Sequence, residues 1–262
     1  MLRKLTALFL ACFLLLSLPA ALADDLLGAV MQKGKLTIAT EGTWAPWTYH
    51  DFDTDALTGF DVEVARAIAA HLGVEANFVE SPWSGIFQGI DNGTYDIAAN
   101  GVEITEERSE KYDFSIPYAY LHTVLIVRGD NQDIHSFEDL AGKRTVNSAG
   151  STYAMTAEAY GAEAAVVDDL ARTIEAVLLG AADATLNAED SFGDYMKQHP
   201  DANLKVVARS AEASPVAIPV RKGEENASFL AAVNGAIQQL RADGTLTAIS
   251  EKYFGADITV AE

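Results

Sequence analysis

Arg108 is the residue whose chemistry most constrains this chain. It lies in Asn100-Gly-Val-Glu-Ile-Thr-Glu-Glu-Arg108, a segment that runs on through Tyr112-Asp-Phe-Ser115 to Pro117-Tyr118. A guanidinium keeps its charge and offers a planar fork of donors that matches a carboxylate with two parallel hydrogen bonds. The segment joins the end of an apolar strand (Ile97, Ala98, Ala99) to a short helix opened by Thr105. Backbone donors of Asn100 and Gly101 at the strand end, with an Arg one turn later, make a receptor for an α-carboxylate. On spacing alone the same Arg would also fit a surface pairing with Glu106, Glu107 or Glu110.

Other segments place reactive groups at strand ends. Gly150-Ser-Thr-Tyr153 follows the strand Arg144–Val146 and opens a helix. The unpaired N–H groups and positive dipole end of such a start form an anion site, although Gly-Ser-Thr before a helix is also ordinary capping. Glu41-Gly-Thr-Trp44-Ala-Pro-Trp47 follows the first strand, and Trp83 closes Glu80-Ser-Pro-Trp83. Two indoles facing each other would hold an apolar or cationic side chain, with roughly 0.5–2 kcal/mol of cation–π attraction for a cation. Each Trp would equally serve as a partly buried core residue, and Trp47 is assigned to packing. Enzyme signals are scarce. His50, His71, His122, His135 and His199 have no i,i+4 partner and no nearby cysteine, so no metal site is expected. Ser151 lacks a Gly-x-Ser-x-Gly elbow, there is no Gly-rich phosphate loop, and no cofactor is expected.

The elements that must position these residues alternate between short apolar strands and amphipathic helices. Leu36–Ala39 reads as a strand. Thr58-Gly-Phe-Asp61 has the look of a capping box, after which Phe60, Val64, Ile68 and Leu72 form one buried helix face and Gly73 ends the helix. Ala76–Val79 (strand), Ser84–Ile90 (helix) and Tyr95–Ala99 (strand) complete a βαβαβ run, which implies a parallel sheet. From Thr123 the pattern starts afresh and replays the first half. Its strands are Val124–Val127, Arg144–Val146, Ala164–Val167, Ala184–Leu186 and Leu204–Val207. Its helices are Ser136–Leu140, Ser151–Tyr160, Leu170–Leu179 and Asp190–Gln198. The tail is helical over Glu225–Leu240 and Leu246–Tyr253, with Gly244 between. Two α/β lobes follow, and open α/β sheets place ligands beyond the carboxyl ends of their strands.

The first residues read as a secretory signal: Arg3 and Lys4, an apolar run from Leu5 to Leu18, then Pro19 and Ala21-Leu-Ala23, with cleavage expected before Asp24. That run is too short for a membrane span of roughly 20 residues. Cys12 is the only cysteine, and Phe9 and Leu10 upstream of it fit a lipoprotein signal poorly. The exported chain is therefore stabilised by its core rather than by disulfides. A formal charge of −20 argues against nucleic acid or anionic lipid as partners, since both need basic patches.

From about Lys35 to the C-terminus, the chain resembles the periplasmic polar amino-acid-binding proteins of ABC importers, the bacterial solute-binding proteins of family 3. The Asn100–Arg108 segment, Gly150-Ser-Thr-Tyr153 and the aromatic strand ends carry the likeness. The resemblance implies a two-lobed fold joined by a double crossover, with a cleft between the lobes. After a signal peptide over 1–23, lobe one takes 24–119 and 216–262 and lobe two takes 120–215, with crossings near Ala119–His122 and Ala213–Ala217. It implies a monomeric periplasmic receptor, not an enzyme, that closes on an amino acid and presents it to an inner-membrane ABC permease. In that reading Arg108 with Asn100 and Gly101 binds the carboxylate. Ser148, Gly150, Ser151, Thr152 and Tyr153 close over it, and Trp44 and Trp83 wall the ligand side chain.

Glu41-Gly-Thr-Trp44 and Gly244-Thr-Leu through Ser250-Glu-Lys-Tyr-Phe-Gly-Ala-Asp257 look most like cystine-binding members. Acidic Glu41 and Glu103 with paired indoles would also suit Lys, Arg, ornithine or His. Some relatives are cyclohexadienyl dehydratases, in which Glu103 or Glu189 would serve as the acid. The chain departs from the family at one point. Most members hold the ligand's ammonium with an Asp that falls here on Ala188, and place Ser or Thr where this chain has Glu103. A buried ammonium without an anionic partner is costly. The expectation is a relocated partner, Glu103 helped by Asn187, with Glu189 as the rival after a one-residue register slip.

Overall fold

Asp25 opens the first helix, α1 (Leu26–Lys33), by accepting from Gly28 N at 2.7 Å, and left-handed Gly34 closes it. The structure is a computed structural model that describes residues 25–261; the expected signal segment, its cleavage point and Cys12 lie outside the described residues. Strand β1 (Lys35–Thr40) leads into a small meander of β2 (Thr43–Trp44), β3 (Thr48–His50) and β4 (Leu57–Thr58). Helix α2 (Phe60–Leu72), β5 (Glu75–Glu80), α3 (Trp83–Asp91) and β6 (Ile97–Ala98) follow. The sheet order is β5-β1-β6, with both pairings parallel, as the alternation implied.

Thr58-Gly-Phe-Asp61 is not the capping box it resembles. Gly59 is the N-cap and makes no side-chain cap bond. Thr58 Oγ1 shares a hydrogen bond with Tyr253 OH at 2.9 Å, while Asp61 turns inward and accepts from Gly101 N and from Tyr118 OH, the latter at 2.7 Å. Two buried donors from distant parts of the chain take that carboxylate away from the helix start.

Helix α4 (Glu106–Lys111) and β7 (Tyr112–Phe114) end the first passage through lobe one, and β8 (Ala119–Leu121) crosses out of it. Lobe two contains β9 (Thr123–Arg128), a 3-10 turn at Phe137–Leu140, β10 (Arg144–Asn147), α5 (Thr152–Ala159), β11 (Glu163–Val166), α6 (Leu170–Leu178), β12 (Ala184–Ala188), α7 (Glu189–Gln198) and β13 (Leu204–Arg209). Its sheet runs β11-β10-β12-β9-β13 and is mixed: β10 is parallel to both β11 and β12, whereas β9 is antiparallel to β12 and β13. The second half therefore does not fully replay the first. The parallel strands end at the cleft, while β9 begins there because the chain has just crossed over, so Thr123 pairs with Ala188.

Strand β14 (Ser214–Val216) brings the chain back antiparallel to β8, and β15 (Pro219–Arg221) pairs with β7. Helices α8 (Ala227–Ala242) and α9 (Thr245–Phe254) then pack on α2 through Phe60, Val64 and Ile68 on one side and Phe229, Val233, Ile237, Leu246 and Ile249 on the other. Burying such side chains stabilises the lobe by about 1.5–3 kcal/mol each. The tail beyond α9 returns to the crossing, where Tyr120 N donates to Ile258 O at 2.8 Å.

Candidate functional site

The carboxyl ends of β1 and β6 in lobe one face those of β10 and β12 in lobe two across a cavity lined from both sides. Each expected site residue lines it except Arg108 and Gly150, which are joined to each other by a hydrogen bond.

At the end of β1, Glu41 and Asn100 hold each other reciprocally: Asn100 Nδ2 donates to Glu41 Oε2 at 2.6 Å, and Glu41 N donates to Asn100 Oδ1 at 2.8 Å. Burial pushes the Glu41 carboxyl above its ordinary range, against the opposing Asn100 bond. Gly101 has φ of 56°, and a side chain there would run into the ring of Trp44. The left-handed turn thus requires glycine and lets the indole lie on bare backbone. Trp44 lines the cavity, as does Trp83. Trp44 stacks on Trp47, with centroids 5.4 Å apart and planes 11° from parallel, and reaches across the cleft to donate from Nε1 to Asn187 Oδ1 at 2.9 Å. Trp47 packs as expected but also reaches across, donating to Asp190 Oδ1 at 3.2 Å.

Thr105 caps α4, accepting from Arg108 N at 3.1 Å. Arg108 is no surface cation. It is 7% exposed and lies over the rings of Trp83 and Phe87, at 5.2 and 5.3 Å from their centroids. Its Nη1 donates to Glu103 O at 2.9 Å in its own lobe and its Nη2 to Gly150 O at 3.1 Å in the other. Burial draws its pKa down from the ordinary value, opposed by the charge of Glu103. The exposed pairing that spacing allowed Arg108 falls instead to Lys111 and Glu107, 3.4 Å apart.

Glu103 is 4% exposed and bridged to Val216. Its Oε1 accepts from Thr152 Oγ1 of lobe two. Burial raises the carboxyl, while Thr152, Ser214 and Arg108 act in the other direction. Thr152 is the first residue of α5, whose N-cap Ser151 accepts from Ala154 N at 3.1 Å. On β12, Asn187 lines the cavity beside Ala188, which offers no charge. The register slip that would bring in Glu189 does not occur: this carboxylate starts α7 and accepts from Arg209 Nε at 2.7 Å.

Sequence reasoning missed Thr43, Asn147, Asp169, Leu170 and Thr173 on the wall. Asn147 ends β10 as Asn100 follows β6, so the strand-end rule applied to lobe two would have found it. Asp169 has φ of 78° and caps α6 by accepting from Arg172 N at 2.8 Å.

Residues 36–256 match the family described as bacterial extracellular solute-binding proteins, family 3. A probable amino-acid ABC transporter-binding protein of Haemophilus influenzae is 38% identical over 237 residues, covering 90% of this chain and 91% of its own. The L-cystine-binding protein TcyA of Bacillus subtilis is 37% identical over 235 residues, covering 90% and 87%. Among solved structures, the L-cystine solute receptor of Neisseria gonorrhoeae in its unliganded open conformation is 40% identical, with a TM-score of 0.58, over 90% of this chain and 99% of that one. An ancestral arginine-binding protein bound to arginine is less similar in sequence, 34%, yet scores 0.78 over 85% and 99%. Between these two structures the likeness of fold does not follow sequence identity. Two lobes, a double crossover and a cleft lined from both sides are the architecture of the matched family, and the chain belongs to the bacterial extracellular solute-binding proteins, family 3.

Proposed function

We propose that this chain is a periplasmic receptor that captures an L-amino acid, cystine or another polar amino acid, by hinge closure and delivers it to the permease of an ABC transporter without transforming it. Arg108 carries the reading. A buried guanidinium lies where the two lobes meet, its fork taken up by one backbone carbonyl from each. An entering carboxylate exchanges those neutral acceptors for a charge-assisted pair, the stronger bond. Asn100 and Gly101 flank it from lobe one, and Ser148, Ser151, Thr152 and Tyr153 close from lobe two. Glu103, on the same loop as Arg108, holds the ligand ammonium with Asn187 as a neutral helper, and Trp44, Trp83 and Glu41 meet the side chain. Lobe one comprises 24–119 and 216–262 and lobe two 120–215, a division supported by the β8–β14 pairing between Ala119–Leu121 and Ser214–Val216. Relatives named as cystine-binding support cystine; the arginine-bound neighbour and the acidic wall support the basic amino acids as the runner-up.

A thermal-shift screen over the common amino acids and cystine tests this. A ligand that binds only the native state raises Tm with its excess over Kd. One or a few polar amino acids should do so, and no shift with any of them would refute the receptor. Incubation with prephenate should leave it unchanged.

A further inference from the structure

Asn147 ends β10 on the cavity wall and is 3% exposed. Its Nδ2 donates to Leu186 O at 2.7 Å and to Thr185 Oγ1 at 3.2 Å. The Thr185 hydroxyl commits its own proton to Val146 O at 2.7 Å, so toward Asn147 it acts only as an acceptor. The amide is therefore fixed, nitrogen toward β12 and oxygen on its opposite corner. That buried Oδ1 has no hydrogen-bond partner. An unpaired buried acceptor destabilises a fold, so one that lines a cavity calls for a partner from within it, water or ligand.

The surroundings say what that group is. Asp169, Leu170 and Thr173 bring the start of α6 to the same wall, and Glu41 stands on the wall from lobe one. Beside Asp169, the buried Oδ1 of Asp168 is likewise without a partner. The nearby cation, Arg172, is 73% exposed and engaged with Asp169 Oδ2 at 3.3 Å. The Thr173 hydroxyl donates to Leu170 O at 2.8 Å. The corner thus offers acceptors and negative charge.

We propose that the corner between β10 and α6 is a subsite for a second cationic nitrogen group at the far end of the ligand's side chain, with Asn147 Oδ1 as its acceptor. The proposal rests on the amino-acid receptor reading and narrows it: the ligand carries an amino or guanidino group beyond its α-amino acid head, as cystine, lysine and arginine do. Aliphatic ligands leave Asn147 unpaired, and acidic ones meet Asp168, Asp169 and Glu41.

Calorimetry with matched probes tests it. L-Cystine is compared with S-methylthio-L-cysteine, which keeps the disulfide and loses the distal amino acid head. L-Lysine and L-arginine are compared with L-norleucine. Wild type should bind the nitrogen-bearing member of a recognised pair at least about tenfold more tightly, the discrimination expected of one buried charge-assisted bond. Asn147→Leu should narrow that ratio at least about fivefold by removing the acceptor at similar volume. Asn147→Asp, which keeps an acceptor and adds charge, should hold or widen it, and serves alone where the Leu variant fails to fold by its Tm. A wild-type ratio within about threefold, a ratio unmoved by both variants, or binding confined to amino acids without a second cationic group overturns the subsite while leaving the receptor intact. No binding by any amino acid fails the receptor reading itself, and the subsite with it.

Discussion

Arg108 and Glu103 work from one short loop, yet opposite charges give them separate tasks. Arg108→Ala should remove a charge-assisted carboxylate pair, worth on the order of 3 kcal/mol or about two powers of ten in affinity, without unfolding the chain. Arg108→Lys should also bind poorly, because an ammonium cannot reproduce the fork. Calorimetry within threefold of wild type for Arg108→Ala would discard the assignment. Glu103→Gln should weaken the true ligand strongly and Glu189→Gln only mildly, since Glu189 is engaged by Arg209 at the half-exposed start of α7. The reverse order would remove Glu103 from the ammonium. At this scale Arg108 and Thr152 were legible through the family resemblance and Glu103 through its departure from it, and the structure brings the three together. Asn147 was not: an amide carries no charge signal, and its orphaned oxygen exists only because Thr185 and Leu186, on another strand, fix its nitrogen.

At the element scale, periodicity found the buried face of α2 but misread its first turn. Asp61 serves Gly101 and Tyr118, partners distant in sequence, and no local pattern carries that information. The meander β2–β4 was missed for a related reason, since strands of two or three residues show no alternation. Burial raises Asp61 from 3.8 to about 7 and Asp190 to about 6. In both, the folded state holds a proton that the unfolded chain releases. Their stabilising contribution is therefore complete below about pH 4 and is lost as pH rises through 6 to 7. For Asp61 the loss is of the order of 4 kcal/mol. Exposed carboxylates with lowered values, such as Asp51 and Asp139, act with the opposite sign and only below about pH 4. Urea unfolding between pH 5 and 7.5 should show wild-type stability falling, and Asp61→Asn should fall less steeply. The variant keeps an oxygen for Gly101 N and turns an amide donor toward Tyr118. Parallel pH profiles would show that Asp61 does not carry the proton.

At the scale of the whole molecule, the cleft is built from strand ends of two sheets, and the contacts across it come from Trp44, Trp47, Arg108 and Glu103. Ligand contacts in both lobes favour the closed arrangement over the open one by the difference in affinity for the two. Small-angle scattering should give a smaller radius of gyration with saturating ligand than without. An unchanged radius with binding confirmed would rule out closure on ligand. Two lobes could be read from the restart of the alternation at Thr123. The antiparallel course of β9 could not, since strand direction is set by where the chain crosses and not by residue type.

The crossing itself has a mechanical consequence. Strands β8 and β14 lie side by side through hydrogen bonds, and the Ile258 carbonyl anchors Tyr120 from a third direction. A bend of this two-stranded ribbon swings one lobe against the other. A distance between the lobes then reports the swing. No cysteine occurs in residues 25–261. Two introduced at exposed His71 and Lys197, one on each lobe, would therefore be unique anchors for a dye pair. Its energy-transfer signal should change on ligand mixing, making the hinge the working part of an optical amino-acid sensor.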